Sequence, residues 1–345
     1  MIETNEGVRV HQVPTCVLCG REGTLLYQNL RDHLFDVSGA WSFLRCPRCG
    51  LVWLNPRPST EEIGRLYAKY CTHSSYDALS KVPKRVKDAI LAGAFGYIQL
   101  EQSIGWRLVG KLVCVVPTLY DVIGSSVMFL KRADVGKVVD IGCGNGQFLA
   151  QMRRLGWQVL GIEPDKKAAS VARDMFKIPV IVSTLEDANL PEGCCDVVTI
   201  HHVIEHVADP IGLLKEVHRI LKPQGKVVVI TPNVSSSGHK LFRSSWRGLE
   251  PPRHLYLFTG KTLQFCAEKA GFSVDILRTS AGNARYFWAV SRLIRRAVKT
   301  NEVADNPHFF LLLEGYGFQL VEGIIRWVWR ASGEELLMVA DKPGK

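Results

Sequence analysis

The chain has no apolar run that crosses a membrane cleanly. Residues 108–130 come closest, but Lys111, Pro117 and Asp121 interrupt them, and an ionised side chain at bilayer depth is costly. A buried or interfacial helical cap is the expectation there. Residues 1–7 are polar and acidic and lack a signal-peptide pattern. No long lysine-arginine block stands out either, although the formal charge is +10 over 345 residues. That balance favours acidic partners such as phosphorylated sugars, anionic lipid surfaces or nucleic acid. A hydrophobic content of 47% argues against disorder. The length suits two domains, or one domain with large attachments.

One glycine is also missing where a dinucleotide site needs it. The run Val138-Val139-Asp140-Ile141-Gly142-Cys143-Gly144-Asn145-Gly146 reads as a buried-type strand, an acid, glycines at alternate positions, and then an apolar helix start. It makes a tight strand-to-helix turn on which a nucleotide-like ligand lies against bare backbone. A dinucleotide fingerprint wants G-x-G-x-x-G, but its last position here is Gln147, and the third glycine comes one residue early.

Ten cysteines would suit a secreted protein, yet four of them sit in two C-x-x-C-G half-sites. Cys16, Cys19, Cys46 and Cys49 are separated by 26 residues between the halves. Four thiolates in that arrangement suit a tetrahedral zinc ion, and each trailing glycine lets the backbone curl toward sulfur. A closed four-cysteine site leaves no open position for catalysis, so the zinc is read as structural. A reducing, cytoplasmic compartment fits paired cysteines used as metal ligands.

Strands are expected at 137–141, 158–163, 180–183, 195–201, 226–231, 273–279 and 336–340, alternating with helices. This is an α/β pattern with a mostly parallel seven-stranded sheet and helices on both faces. Three units follow: a ribbon-like metal-binding segment at 1–58, a helical cap or linker at 59–135, and the α/β domain at 136–345. That domain carries a helical insertion at about 280–334. The insertion holds a basic amphipathic helix near 286–299, with Arg285, Arg292, Arg295, Arg296 and Lys299 on one side. A second helix near 309–330 places Glu322, Arg326 and Arg330 at i, i+4 spacing.

The glycine run, followed by Gly161-Ile162-Glu163-Pro164-Asp165, resembles the first two motifs of class I S-adenosylmethionine-dependent methyltransferases, which have a Rossmann-like fold. Further matches follow in order: His202-Val203-Ile204-Glu205-His206 after the fourth strand, Leu221-Lys222-Pro223-Gln224-Gly225, Pro251-Pro252-Arg253-His254-Leu255, and Ala270-Gly271-Phe272. The opening resembles the zinc-ribbon leader that some of these enzymes carry, including Leu54-Asn55-Pro56-Arg57-Pro58.

The resemblance implies S-adenosylmethionine as co-substrate. Gly142, Gly144 and Gly146 would admit it, Asp140 would organise its ammonium group, and Glu163 would take the ribose hydroxyls. Thr184 and Leu185 would lie near the adenine, and His201 beside the methionine part. The sulfonium methyl is already activated, so the protein aligns donor and acceptor and removes a proton. His202, His206 and His254 have the chemistry for that. Glu205, near the positive end of the following helix, has a structural reading. His202, Glu205, His206 and His254 also resemble, in part, the metal set of small-RNA 2′-O-methyltransferases.

The leading expectation is O-methylation of a sugar, a lipid-linked glycan or another small hydroxylated molecule, with peripheral membrane contact through the helical attachments. The alternatives are an RNA methyltransferase using the ribbon and basic surface, and a non-enzymatic binding module. Against nucleic acid, His201-His202 stands where base-amine methylation would show Asn/Asp-Pro-Pro-aromatic, and the ribbon lacks clustered aromatics with basic residues. Neither the acceptor, nor the atom methylated, nor the oligomeric state follows from the sequence.

Overall fold

A computed structural model describes residues 3–62, 66, 83–101, 103–300 and 309–344. Parts of the expected cap (63–65, 67–82 and 102) and of the insertion (301–308) lie outside the described residues.

Residues 136–345 build the expected sheet. The strands are β7 (Lys137–Ile141), β8 (Gln158–Ile162), β9 (Val180–Ile181), β10 (Cys195–His201), β11 (Leu221–Pro232), β13 (Ser273–Ser280) and β14 (Glu335–Asp341). Their order is β13-β14-β11-β10-β7-β8-β9. All neighbours from β9 to β11 pair in parallel, whereas β14 runs antiparallel between β11 and β13. β7 and β10 bury residues on both faces, as their central position demands, with Asp140 and Thr199 as polar exceptions among Val138, Val139, Val197, Val198 and Ile200. One strand departs from expectation. β11 begins five residues early, taking in Leu221-Lys222-Pro223-Gln224-Gly225. Proline and glycine there suggest a loop, but the pairing absorbs them through an irregular register, with Gln224 at φ +64°.

Helices fill the crossovers. Gly146, at φ +78°, caps the helix Gln147–Arg154. Pro210 opens the helix Pro210–Ile220, whose N-cap Asp209 accepts from the Gly212 amide at 2.9 Å. Leu213, Leu214 and Val217 are its buried face.

The N-terminal segment forms two small sheets. One joins β1 (Glu3–Asn5), β2 (Val8–His11) and β6 (Arg57–Pro58); the other joins β3 (Thr24–Leu30), β4 (Trp41–Arg45), β5 (Val52–Leu54) and β12 (Tyr256–Leu257). The fourth strand thus comes from the α/β domain. Trp41, Phe43, Trp53 and Leu54 share one continuous core with Leu255, Phe258, Leu263 and Phe272. Arg57, from the Leu54–Pro58 leader, lies 4.5 Å over the Tyr256 ring and donates to its hydroxyl at 3.1 Å.

Helices cover the other side: Lys84–Ala94, Ile104–Val113 and Pro117–Ser125. Asp121 is not solvated. It accepts from Arg278 at 2.7 Å, from the Ala281 amide at 3.1 Å, and from Arg326. The insertion forms helices Ala284–Thr300 and Phe309–Val328. Two expectations fail here. Arg285 is buried against Tyr316 rather than sharing the basic face, because Gly315 lets the second helix come against the first. A Cβ at Gly315 would stand 2.4 Å from the Arg285 carbonyl oxygen. Arg326 pairs with Asp121, not with Glu322, which is buried beside Glu334. Among the described residues no single helix is long and apolar enough to cross a membrane; Ile104–Val113 and Pro117–Ser125 meet the length and composition test only as a pair bent by 109°.

Candidate active site

The glycine turn lies at the carboxyl end of β7, the position where open parallel sheets take their ligands. Gly142, Gly144 and Gly146 all have positive φ (+70°, +52° and +78°). Space excludes side chains as well: a Cβ at Gly142 would meet Val203 Cγ2 at 2.5 Å, and one at Gly146 would meet Ala172 Cβ at 2.7 Å. Glu163, just past β8, is buried and clasps the turn. Its Oε2 accepts from the Gly144 amide and its Oε1 from the Asp165 amide, both at 2.8 Å.

Asp140 is buried in β7 and accepts a 2.6 Å hydrogen bond from Thr199 of β10. Burial pushes its carboxyl up to about 7, with the nearby Glu163 charge adding to the rise and Thr199 opposing it. A cationic group placed beside it would restore the ionised form. Leu185 is buried and belongs to the core, whereas Thr184 is exposed and bonds Asp187 at 2.9 Å. His201 ends β10 as an exposed residue, its ring 4.7 Å from the His202 ring. The cofactor-side residues therefore converge on the ends of β7, β8 and β10, with Thr184 on the loop after β9.

The histidines separate into different environments. His202, at φ +54°, is held between two buried carboxylates: Nδ1 meets Glu205 at 3.1 Å and Nε2 meets Glu335 at 2.8 Å. Burial opposes its charge, but the hydrogen bonds to Glu205 and Glu335 outweigh it and raise the ring to about 10. An imidazolium has no lone pair with which to take a proton, so the geometry makes His202 a fixed cation rather than a base. Glu205 is fully buried and also accepts from Thr231 at 2.9 Å; burial would raise it, but His202 holds it down to about 2.

His206 donates Nδ1–H to the Arg253 carbonyl at 3.0 Å, and His254 donates Nδ1–H to the Gly248 carbonyl at 2.7 Å. The two rings are 4.7 Å apart. His254 is buried, which lowers it to about 4 and keeps it neutral. Glu205, His206 and His254 bring ligand atoms within 4.8 Å of one another. Yet Glu205 already bonds Thr231 and His202, and both Nδ1 atoms donate to carbonyls, so the protein itself satisfies much of this donor set.

Sequence reasoning missed Thr199, Thr231 and Glu335. The only signal for the first two was a polar residue inside an apolar strand. It missed entirely a buried chain of charge in which Arg253 donates to Asp32 at 2.9 Å and to Glu250 at 3.0 Å.

In the N-terminal segment, Cys16, Cys19, Cys46 and Cys49 gather with all four sulfurs within 4.8 Å of one another. The Cys16–Cys49 and Cys19–Cys46 sulfur separations are 3.6 and 3.4 Å. Those separations lie near the roughly 3.8 Å edge of a tetrahedron with metal–sulfur bonds of about 2.3 Å. The Cys49 amide points at Cys46 Sγ, 3.4 Å away. The cluster can hold a metal ion.

Residues 120–276 match a family model described as "Methyltransferase domain". The chain is 35% identical over 103 residues to a ubiquinone biosynthesis O-methyltransferase from Xanthomonas oryzae pv. oryzae, covering 28% of this chain and 43% of that one. A protein of the same name from Vibrio campbellii is 37% identical over 103 residues, covering 28% and 44%. The chain thus spans less than half the length of these curated relatives. Among solved structures, a SAM-dependent methyltransferase from Archaeoglobus fulgidus aligns at 20% identity and a TM-score of 0.41, covering 60% of this chain and 86% of that one. One from Mesorhizobium loti aligns at 18% and 0.42, covering 64% and 96%. With the turn, the sheet order and the matched family model together, the fold built around Asp140 and Glu163 is that of a class I S-adenosylmethionine-dependent methyltransferase domain.

Proposed function

We propose that this chain transfers the methyl group of S-adenosylmethionine to an oxygen of a sugar, a lipid-linked glycan or another small hydroxylated molecule. The observation that carries the reading is the glycine turn clasped by Glu163, with Asp140 buried behind it. In this reading Glu163 takes the ribose hydroxyls of the cofactor and Asp140 takes its ammonium group. The O-methyltransferase names of the two relatives favour oxygen as the acceptor atom. His206 is the proton acceptor in this reading, since its Nδ1–H is committed to a carbonyl and its Nε2 is then the basic nitrogen. His254 packs edge to face against its ring, with centroids 4.7 Å apart, and His202 supplies fixed positive charge. A methyl-transfer screen with labelled cofactor against sugar nucleotides, lipid-linked glycans and total RNA tests this. Label on RNA alone would replace it with the nucleic-acid reading.

The reading assigns a structural zinc ion to the four cysteines, in keeping with a closed thiolate set. It also includes contact with an anionic membrane surface. The helix Ile104–Val113 and the turn that leads into Pro117–Ser125 expose Ile104, Leu108, Leu112 and Val115, at 68%, 56%, 70% and 70%. Lys111 is exposed among them, and the acid in these helices, Asp121, is buried and paired. Co-flotation with vesicles containing phosphatidylglycerol supports the contact, and recovery of all protein in the dense fraction refutes it.

A further inference from the structure

A cleft of about 630 Å³ lies between the N-terminal sheets and the segment that follows β11. Among the described residues three cations line it: Arg45 from the end of β4, and Lys240 and Arg243 from the segment after β11. Among the described residues no carboxylate lines it. Lys240 Nζ rests 3.2 Å from the centre of the Trp329 ring, not on an acid. Arg243 is held at φ +51°, ψ −119°, a region that side chains rarely adopt.

On the inner wall, His239 donates Nδ1–H to the Val234 carbonyl at 2.5 Å, so its Nε2 accepts from the Tyr27 hydroxyl at 3.0 Å. That hydrogen bond leaves the phenol oxygen with acceptor capacity. Burial raises the Tyr27 phenol, while the charges of Arg243 and Arg45, which line the same cleft, pull it down.

Like charges gathered in one recess repel, and walls of low dielectric strengthen the effect. A negatively charged ligand relieves it. Guanidinium groups present planar pairs of N–H donors that match phosphate oxygens, and an ammonium serves as a point charge beside them. One segment, running from Ala331 on the cleft wall to Glu335, connects the cleft to the candidate active site. Asn233, between β11 and the cleft wall, holds the Ala331 and Gly333 carbonyls at 2.9 and 2.7 Å. Glu335, farther along the same segment, holds His202.

We propose that this cleft binds a phosphate ester carried by the methyl acceptor, with Arg45 and Arg243 on the phosphate oxygens and Lys240 closing over them. The proposal rests on the methyltransferase reading and narrows its substrate to phosphorylated acceptors. The phosphate has two sources, a soluble sugar nucleotide or a lipid-linked sugar phosphate.

The test is calorimetry on the full chain with inorganic pyrophosphate, with UDP-glucose, and with phosphatidylcholine vesicles containing a polyprenyl phosphate. S-adenosylhomocysteine is titrated in parallel. Pyrophosphate and at least one carrier are expected to bind. Arg45→Gln and Arg243→Gln should each weaken that binding about tenfold or more, the scale for a lost charged hydrogen bond. Their S-adenosylhomocysteine affinity should stay at the parent value, which also shows that they fold. UDP-glucose binding alone identifies the soluble source, and vesicle binding alone the lipid-linked one. The proposal is overturned if none of the three probes binds, or if the double variant Arg45→Gln/Arg243→Gln binds them as the parent does. Cofactor binding without phosphate binding sinks this inference and leaves the methyltransferase reading standing. Phosphate binding without cofactor binding keeps the phosphate site but removes the methyltransferase reading, and with it the assignment of that phosphate to a methyl acceptor.

Discussion

Replacing Arg253 with methionine should release the N-terminal segment from the α/β domain. The Arg253 side chain is fully buried and bridges Asp32, 2% exposed, to Glu250, 1% exposed. Methionine keeps much of the volume but leaves two buried carboxylates without their shared cation. Breaking a buried pair by removing one partner costs about 3–5 kcal/mol. The surroundings soften the loss. Asp32 also accepts the amides of Leu34, Phe35 and Val37, and Glu250 keeps Arg247. The low end, about 3 kcal/mol, is therefore expected. At about 2–4 °C per kcal/mol for large domains, the melting temperature should fall by about 6–12 °C. Urea denaturation followed by tryptophan fluorescence reads this directly, since Trp41 and Trp53 lie in the shared core. The pH dependence has a definite sign. Burial alone would raise Glu250, but Arg247, His254 and Arg253 hold it well below the usual carboxylate range. Its contribution is thus present above the ordinary glutamate pKa and lost as pH falls through the depressed folded value. The variant and the parent should differ most near neutral pH and converge in acid. A loss under about 1 kcal/mol at pH 7 would refute the claim that this ion chain anchors the segment.

Cofactor affinity should depend on the ionisation of Asp140. Its folded carboxyl titrates at about 7, and a bound ammonium group prefers the charged form. S-adenosylhomocysteine affinity should therefore fall as pH drops below about 7, by up to tenfold per unit, and Asp140→Asn should abolish that slope. Calorimetry between pH 5.5 and 8 would show it, and a flat profile in the parent would contradict it. His206→Gln should lower turnover by about 10²–10⁴-fold while cofactor affinity holds, as expected for a lost proton acceptor; equal turnover would remove His206 from the chemistry. Metal analysis should find about one zinc per chain. A strong chelator that strips it should expose the N-terminal segment to protease, and metal-free protein that resists protease equally would argue against a structural ion.

Much of the sheet was legible because strand runs and glycine turns are local signals. The central strands are nearly all apolar, and Gly142 and Gly146 are where a side chain would collide with Val203 and Ala172. Glu163 was legible as the acid after the second strand, although its bonds to the Gly144 and Asp165 amides were not. What escaped notice depends on distant pairing. The Asp32–Arg253 pair joins residues 221 positions apart, and His202 meets Glu335 across 133. Nothing in the local spacing of His202 marks it as a cation caged by two acids. The helical insertion was misread for the same reason: Arg285 and Glu322 look solvated along their own helices, but neighbouring segments cover them.

The central claim is that the turn at Gly142–Gly146 and Glu163 hold S-adenosylmethionine, and titration of the purified chain with S-adenosylhomocysteine tests it most directly. The account predicts saturable binding of one ligand per chain. Glu163→Ala should weaken it by about 1–3 kcal/mol, or about 5- to 150-fold, the scale of lost hydrogen bonds to a charged group. No binding by the folded parent, or full affinity in Glu163→Ala, would contradict the account.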